Sequence, residues 1–242
     1  MSALAFAGLD LHDYAASLNA QMQGRSAEDV LNIAIRDLFP GQIALVSSFG
    51  AESAVLLHLA ARTDKATPVL FLDTGKLFAQ TLTYRDALID RLGLSDVRVL
   101  TPDQTQLAAQ DDGGTLWFRD AEACCSIRKV QPLQRALKPF AAWINGRKRY
   151  QAGTRRGIAL VEAEGARLKF NPLAGWSAAE IDAYFARHDL PRHPLVADGY
   201  LSIGCATCTQ PVAAGQEVRS GRWQGREKTE CGIHLPIPAV NP

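Results

Sequence analysis

Short apolar runs alternating with helical segments constrain this chain more than any other feature. Ile43-Ala44-Leu45-Val46 is apolar at every residue, the pattern of a strand buried on both faces. It passes through Ser47-Ser48-Phe49-Gly50 into a segment whose apolar positions, Val55, Leu56, Leu59 and Ala60, recur at helical spacing. Pro68-Val69-Leu70-Phe71-Leu72 reads as a second strand ending at Asp73-Thr74-Gly75. A helix through Tyr84, Leu88, Ile89 and Leu92 and a third strand, Val97-Arg98-Val99-Leu100, follow. Strands alternating with helices predict an α/β fold, a parallel twisted sheet with helices on both faces. Ligands in such sheets bind beyond the carboxyl ends of the strands, where both polar loops lie.

The flanks are read in the same way. Residues 11–39 carry helical spacing (Val30, Leu31, Ile33, Ala34, Leu38), closed by Pro40-Gly41. Downstream, Asp111-Asp112-Gly113-Gly114 is a turn and residues 121–137 form a helix that Pro139 ends. Ala142-Trp143-Ile144 is a further strand, and Ser177 with Glu180 forms a capping box for a helix over 178–188. From Asp198 onward Gly, Pro and charged residues predict a loop-rich tail. The division expected is a body over 1–214 and a flexible carboxyl-terminal segment over 215–242. At 242 residues a substantial core needs no disulfide staples. A net charge of +1 gives no global reason for a nucleic-acid partner, and no apolar run approaches the roughly 20 residues that span a bilayer. The start lacks a basic region of the signal-peptide kind, and an odd cysteine count suits a reducing compartment, so a cytoplasmic location is expected. Self-association into a homo-oligomer is left open.

Five cysteines fall in three groups: Cys124-Cys125, Cys205-Ala206-Thr207-Cys208, and Cys231. Adjacent cysteines strain a single tetrahedral ion, whereas a 4Fe–4S cluster offers a separate iron to each thiolate. Buried thiols with a zinc or redox CxxC are the alternative. Cys231 lies between Lys228 and His234, both able to depress its pKa, with Gly232 leaving room for an electrophile. The bland alternative is an incidental cysteine in a tail. Ser47-Ser48-Phe49-Gly50-Ala51-Glu52-Ser53 places hydroxyls and a glycine where a helix begins, a setting for phosphate or sulfate, although many such turns are Ser/Gly-rich for backbone geometry alone. Residues 145–156 hold Arg147, Lys148, Arg149, Arg155 and Arg156 with no acid, and Arg219, Arg222, Arg226 and Lys228 precede Cys231. If both sets fold over one cleft they hold a multiply charged anion; otherwise they are solvated loops. His58, His188 and His193 suit core or surface roles, and Trp117, Trp143 and Trp176 suit the core or the cleft wall.

These segments together resemble the assimilatory adenylyl-sulfate reductases, within the larger phosphoadenylyl-sulfate reductase family. The resemblance runs from about Ile43 to Leu235 and rests on SSFGAES (47–53), LDTG (72–75), CCSIRK (124–129), NGRKRYQAGTRR (145–156), GCATC (204–208) and KTECGIH (228–234). It implies an adenine nucleotide alpha hydrolase-like (Rossmann-like) fold. It also implies nucleotide binding by Ser47, Ser48, Phe49, Gly50 and Ser53, by Leu72, Asp73, Thr74 and Gly75, and by Gly146, Arg149 and Arg156. Cys124, Cys125, Cys205 and Cys208 would hold a 4Fe–4S cluster, with Lys129 between cluster and substrate. Arg219, Arg222 and His234 would meet the phosphosulfate, and Cys231 would be the nucleophile. The implied reaction is thioredoxin-dependent reduction of adenylyl sulfate to sulfite and AMP through a cysteine S-sulfonate, in sulfate assimilation and cysteine biosynthesis. Members with the paired cysteines generally prefer adenylyl sulfate, and those without use 3′-phosphoadenylyl sulfate, so the unphosphorylated nucleotide is expected here and use of both is the alternative. Tyr150 stands where the commoner form of the basic loop has Asp. A nucleotide-activating relative would need a glycine-richer loop than 47–53 and leaves KTECGIH unexplained, and a nucleic-acid-binding module lacks an aromatic-basic stripe.

Overall fold

The structure, a computed structural model, describes residues 8–213 and 215–234. Two amino-terminal helices, α1 (Leu11–Gln21) and α2 (Ala27–Asn32, continued by a wider turn over Ile33–Leu38), replace the single helical stretch read from the sequence. Gly24 takes a left-handed φ of 76° between them, and Ser26 starts α2 with a reciprocal capping box to Asp29. The alternation then proceeds as expected through β1 (Ile43–Ser47), α3 (Ser53–Thr63), β2 (Val69–Leu72), α4 (Ala79–Leu92) and β3 (Val97–Leu100). Short helices α5 (Gln104–Gln110) and α6 (Leu116–Arg119) lead to α7 (Ala121–Cys125). One widened turn, Ser126–Val130, carries the chain on into α8 (Gln131–Leu137).

Beyond β4 (Ala142–Ile144) comes a hairpin that the sequence reading did not assign: β5 (Val161–Glu164) and β6 (Arg167–Phe170), antiparallel to each other. Its signal is present in the alternation Val161, Ala163 and Leu168, Phe170 about Gly165, which takes φ of 60° at the turn. The last helix, α9 (Ala178–Arg187), has the expected capping box, with Ser177 and Glu180 bonding each other's backbone amides. From 198 to 234 the described chain holds only single helical turns at Ala206–Cys208 and Gly232–His234, the loop-rich tail expected.

The six strands lie in the order β3-β2-β1-β4-β6-β5, all parallel except the β5 edge. Side chains alternate between two cores. Ile43, Leu45, Val69, Phe71, Ala142 and Ile144 face helices α1 to α4 and α9, while Ala44, Val46, Leu70, Leu72 and Trp143 face Leu133 and Leu137 of α8. Helices therefore cover both faces. The chain passes outward from β1 to β3 and then returns to the other side of β1 as β4. The crevice between the carboxyl ends of β1 and β4 is thus the switch point of the sheet, where two consecutive loops diverge and leave room for a ligand.

His193 ties α4 to the segment after α9. Its Nε2 pairs with Thr81 Oγ1 at 3.0 Å and its Nδ1 accepts the Leu195 amide at 3.2 Å. Burial at 1% exposure pushes its pKa down to about 4. Below pH ~6.5 the unfolded chain binds a proton here that the folded chain refuses until about pH 4. Stability should fall by about 3 kcal/mol as pH drops through that window and be untouched by this group above it. Denaturant unfolding at stepped pH checks this, since His193→Asn should lose that part of the slope.

Candidate active site

The first residues past β1 turn sharply because Phe49 adopts a left-handed φ of 47° and buries its ring edge-on against Phe71, centroids 5.4 Å apart. The ring is fully buried, so Phe49 anchors the turn from inside the core and does not line the cleft. Ser47 Oγ accepts the Phe49 amide (3.1 Å) and Ser53 Oγ accepts the Gly50 amide (2.8 Å), which holds the loop against the start of α3.

A cleft of about 200 Å³ opens at the switch point. Ser47, Ser48, Gly50 and Ser53 of this loop line it, as do Leu72 and Thr74 after β2 and Gly146 after β4. Lys129, Arg219, Arg222, Cys231 and His234 complete the set that the sequence singled out and the fold brings together. Four others lie elsewhere. Asp73 turns back to accept the Gly75 amide (2.9 Å), and Gly75 supplies a left-handed turn with φ of 67°. Arg149 donates to the Ile158 carbonyl (2.9 Å) and, with Arg156, borders a separate open concavity beside Gln216 and Glu217.

Arg147, Lys148 and Arg155 of the basic loop line the same cleft as Arg219 and Arg222, the convergence the sequence posed as a condition, and Glu52, Gln151 and the turn 201–204, to which it gave no separate role, join them. Glu52 collects Lys148 Nζ (2.6 Å), Tyr150 Oη (2.5 Å) and Gln151 Nε2 (2.7 Å), which pins the basic loop to the β1 turn. Tyr150 is therefore a partner of Glu52. The available signal was a carboxylate at 52 facing a run of bases without an acid of their own. Gln151 in turn accepts from Arg155 (2.6 Å), and Arg155 grips both oxygens of Glu230 at 2.5 and 2.8 Å. Arg219 adds a contact to Glu230 at 3.3 Å. A buried carboxylate held by a guanidinium fork thus docks the segment that carries Cys231 onto the cleft.

Electrostatics here are dominated by cations. Burial and the neighbouring Arg155 push Arg219 down to about 10, and burial lowers Arg222, Arg147 and Lys148 as well. His234, stacked on Trp143 at 6.2 Å, is held well below its ordinary pKa by burial and by Lys169, Arg147, Arg155 and Arg219, so it is neutral. Among the described residues neither Lys129 nor Arg222 has a carboxylate within 4.0 Å. Burial works against the Lys129 charge, but the sulfurs of Cys205, Cys231 and Cys125 outweigh it and raise its pKa.

Cys231 is driven well below the usual thiol value, first by hydrogen bonding from the Cys125 thiol, then by Lys129, the Ile233 amide and Arg222, all against burial. This corrects the expected source of activation. Lys228 is spent on Glu122 and the Trp223 face, and His234 is neutral.

Behind the cleft a small cavity is lined by Cys124, Cys125, Cys205 and Cys208, with Lys76, Trp117, Arg128, Thr207, Lys129 and Trp223. The last two also line the cleft, so they separate the two spaces. Thr74 Oγ1 lies 3.2 Å from Cys205 Sγ, and Arg128 joins Asp111 (2.5 Å) to the Thr74 carbonyl (2.7 Å). No Asp, Glu or His lines this cavity. Among the described residues no three His, Cys, Asp or Glu side chains close on a single metal ion.

Residues 42–211 match the phosphoadenosine phosphosulfate reductase domain. The chain belongs to that family. A relative from Chelativorans sp. named adenosine 5′-phosphosulfate reductase is 52% identical, with 94% of each chain covered. One from Gloeobacter violaceus named phosphoadenosine 5′-phosphosulfate reductase is 41% identical, covering 90% of this chain and 92% of its own. The crystal structure of phosphoadenylyl-sulfate reductase from Candida auris, as a phosphate complex, superposes with a TM-score of 0.71 at 26% identity, over 82% of this chain and 97% of that one. The reductase family match thus covers the sheet, both loops of the switch point and the CATC turn, while the Glu230 clamp lies beyond it.

That clamp has a measurable consequence. Removing one partner of a buried ion pair costs about 3–5 kcal/mol. In Glu230→Ala, amide exchange over residues 229–234 should accelerate by about a hundredfold or more, while β1 and β4 amides keep their protection. Hydrogen-exchange mass spectrometry reads both.

Proposed function

We propose that this reductase converts adenylyl sulfate to sulfite and AMP, with Cys231 as nucleophile and a dithiol such as thioredoxin as the electron source. The observation that carries the reading is the Cys231 thiol lining, with Lys129 and Arg222, two cations without carboxylate partners among the described residues, a cleft at the sheet's switch point. The relatives' names and the switch-point cleft, built from SSFGAES and NGR, support a nucleotide there. Ser47, Ser48, Gly50 and Ser53, with Thr74 and Gly146, would seat the nucleotide.

In the first step the Cys231 thiolate attacks the sulfur of the phosphate–sulfate anhydride. The sulfur–oxygen bond breaks, its electron pair leaves with AMP, and Cys231 carries a sulfonate. Lys129, Arg219 and Arg222 offset repulsion between thiolate and dianion and receive charge on the leaving phosphate. Neutral His234 can donate or accept a hydrogen bond there without adding charge. In the second step a donor thiolate attacks Cys231 Sγ, sulfite departs with the sulfur–sulfur electron pair, and the donor's second thiol resolves the mixed disulfide. Cys231 returns as a thiolate and the donor, now a disulfide, has supplied both electrons.

Four thiols on one cavity without oxygen or imidazole donors fit a 4Fe–4S cluster held by Cys124, Cys125, Cys205 and Cys208. Such a cluster would supply fixed negative charge behind Lys129 and would cross-link the two cysteine segments. With Cys125 bound as a thiolate it has no proton to share, and Lys129 and Arg222 would then carry the activation of Cys231. Among the described residues no helix is long and apolar enough to cross a membrane. The Gloeobacter relative's name supports a second reading, in which 3′-phosphoadenylyl sulfate is also used.

Mass spectrometry after mixing with adenylyl sulfate alone should show one added sulfonate on Cys231, absent in Cys231→Ser. Sulfite production by Cys231→Ser would sink the proposal. Turnover compared on the two nucleotides should favour adenylyl sulfate, and a strong preference for the 3′-phosphorylated form would select the second reading.

A further inference from the structure

Gly204 does not take the left-handed φ that favours glycine, so its φ is not what calls for one. What it lacks is room. A Cβ built there would lie 2.3 Å from Nη2, 2.6 Å from Cζ and 2.8 Å from Nη1 of Arg222. The guanidinium therefore rests across the Gly204 backbone. Its other supports are the Trp223 ring, with Cζ 4.4 Å from the centroid, and the Cys208 carbonyl, 3.4 Å from Nε. Gly204 and Arg222 both line the cleft.

The two segments are also paired through their backbones. Gln210 donates to the Gly221 carbonyl (2.8 Å), Trp223 donates to the Cys208 carbonyl (3.2 Å), and Thr209 bridges Arg222. Gly221 allows this approach, because a Cβ on it would lie 2.1 Å from the Gln210 carbonyl oxygen. The two glycines differ in what a side chain would meet. At 221 it is rigid backbone, and at 204 it is the mobile end of an arginine.

From this we infer that Gly204 is a positioning residue: its missing side chain is the seat that admits the Arg222 guanidinium to the cleft. The inference deepens the phosphosulfate reading and rests on it. A methyl group at 204 leaves the fold intact, since an arginine terminus can swing aside, but it removes one charged donor from the anion's surroundings.

The test is a double-mutant cycle on the full-length holoprotein in a Cys231→Ser background, where adenylyl sulfate binds without reacting. Calorimetry should show Kd raised about tenfold or more by Gly204→Ala and by Arg222→Ala, the scale of one lost charge-assisted hydrogen bond. The double variant should bind no more weakly than Arg222→Ala alone. Iron per chain and visible absorbance should be unchanged in Gly204→Ala, and its Tm should hold, whereas Gly221→Ala should lower Tm. Unchanged binding in Gly204→Ala beside weakened binding in Arg222→Ala overturns the inference and spares the functional reading. Multiplied losses in the double variant overturn it too, because the glycine would then act independently of the arginine. Iron loss in Gly204→Ala overturns it by placing the role at Cys205. If neither single variant changes Kd, the phosphosulfate reading fails together with the inference.

Discussion

Positive charge drawn partly out of water at the switch point, and only in part matched by carboxylates, is the constraint on which the rest of this structure depends. Removing an ammonium or guanidinium from water is costly unless an opposite charge meets it. Arg155 and Lys148 meet Glu230 and Glu52. Lys129 and Arg222 face sulfur instead, and the cleft they share stays electrostatically hungry. An anion that enters satisfies a demand the fold has already created, which is the physical meaning of a preorganised site.

Two devices bring that charge into register. On one side the carboxylates Glu52 and Glu230 bracket the basic loop, linked through Gln151 and Arg155, so the β1 turn and the segment carrying Cys231 answer to one network. On the other side the turn holding Cys205 and Cys208 pairs with the turn holding Arg219 and Arg222, and glycines let them touch. The cysteine cavity and the cleft then share Lys129 and Trp223 as a common wall.

The central strands were legible because burial on both faces leaves continuous apolar runs, such as Ile43 to Val46 and Val69 to Leu72. The hairpin at 161–170 was missed because charged residues interrupt it: Lys169 is buried against Glu164 and the Trp143 ring, a pairing visible only once three strands are adjacent. Helical spacing over 11–39 concealed a break, since a glycine turn and a new cap restart the same periodicity. In the site, the small loop residues line the cleft, yet Ser47 and Ser53 also hold the turn through the Phe49 and Gly50 amides, so a hydroxyl at a strand end does not by itself separate binding from backbone geometry. Phe49 was not legible, since its sequence position cannot tell whether a ring turns inward.

Alone, the order of residues determined that a parallel sheet forms, that its carboxyl-end loops carry the polar chemistry, and that four cysteines are grouped apart from a fifth. These follow from local patterning, which each segment holds within itself. Only the folded chain decided which charges meet. Lys228 and His234 adjoin Cys231 in sequence, yet Lys228 is drawn to Glu122 and His234 is kept neutral, while Lys129 and Arg222 arrive from other segments. Electrostatic influence depends on distance and burial in three dimensions, and neither is encoded by adjacency along the backbone.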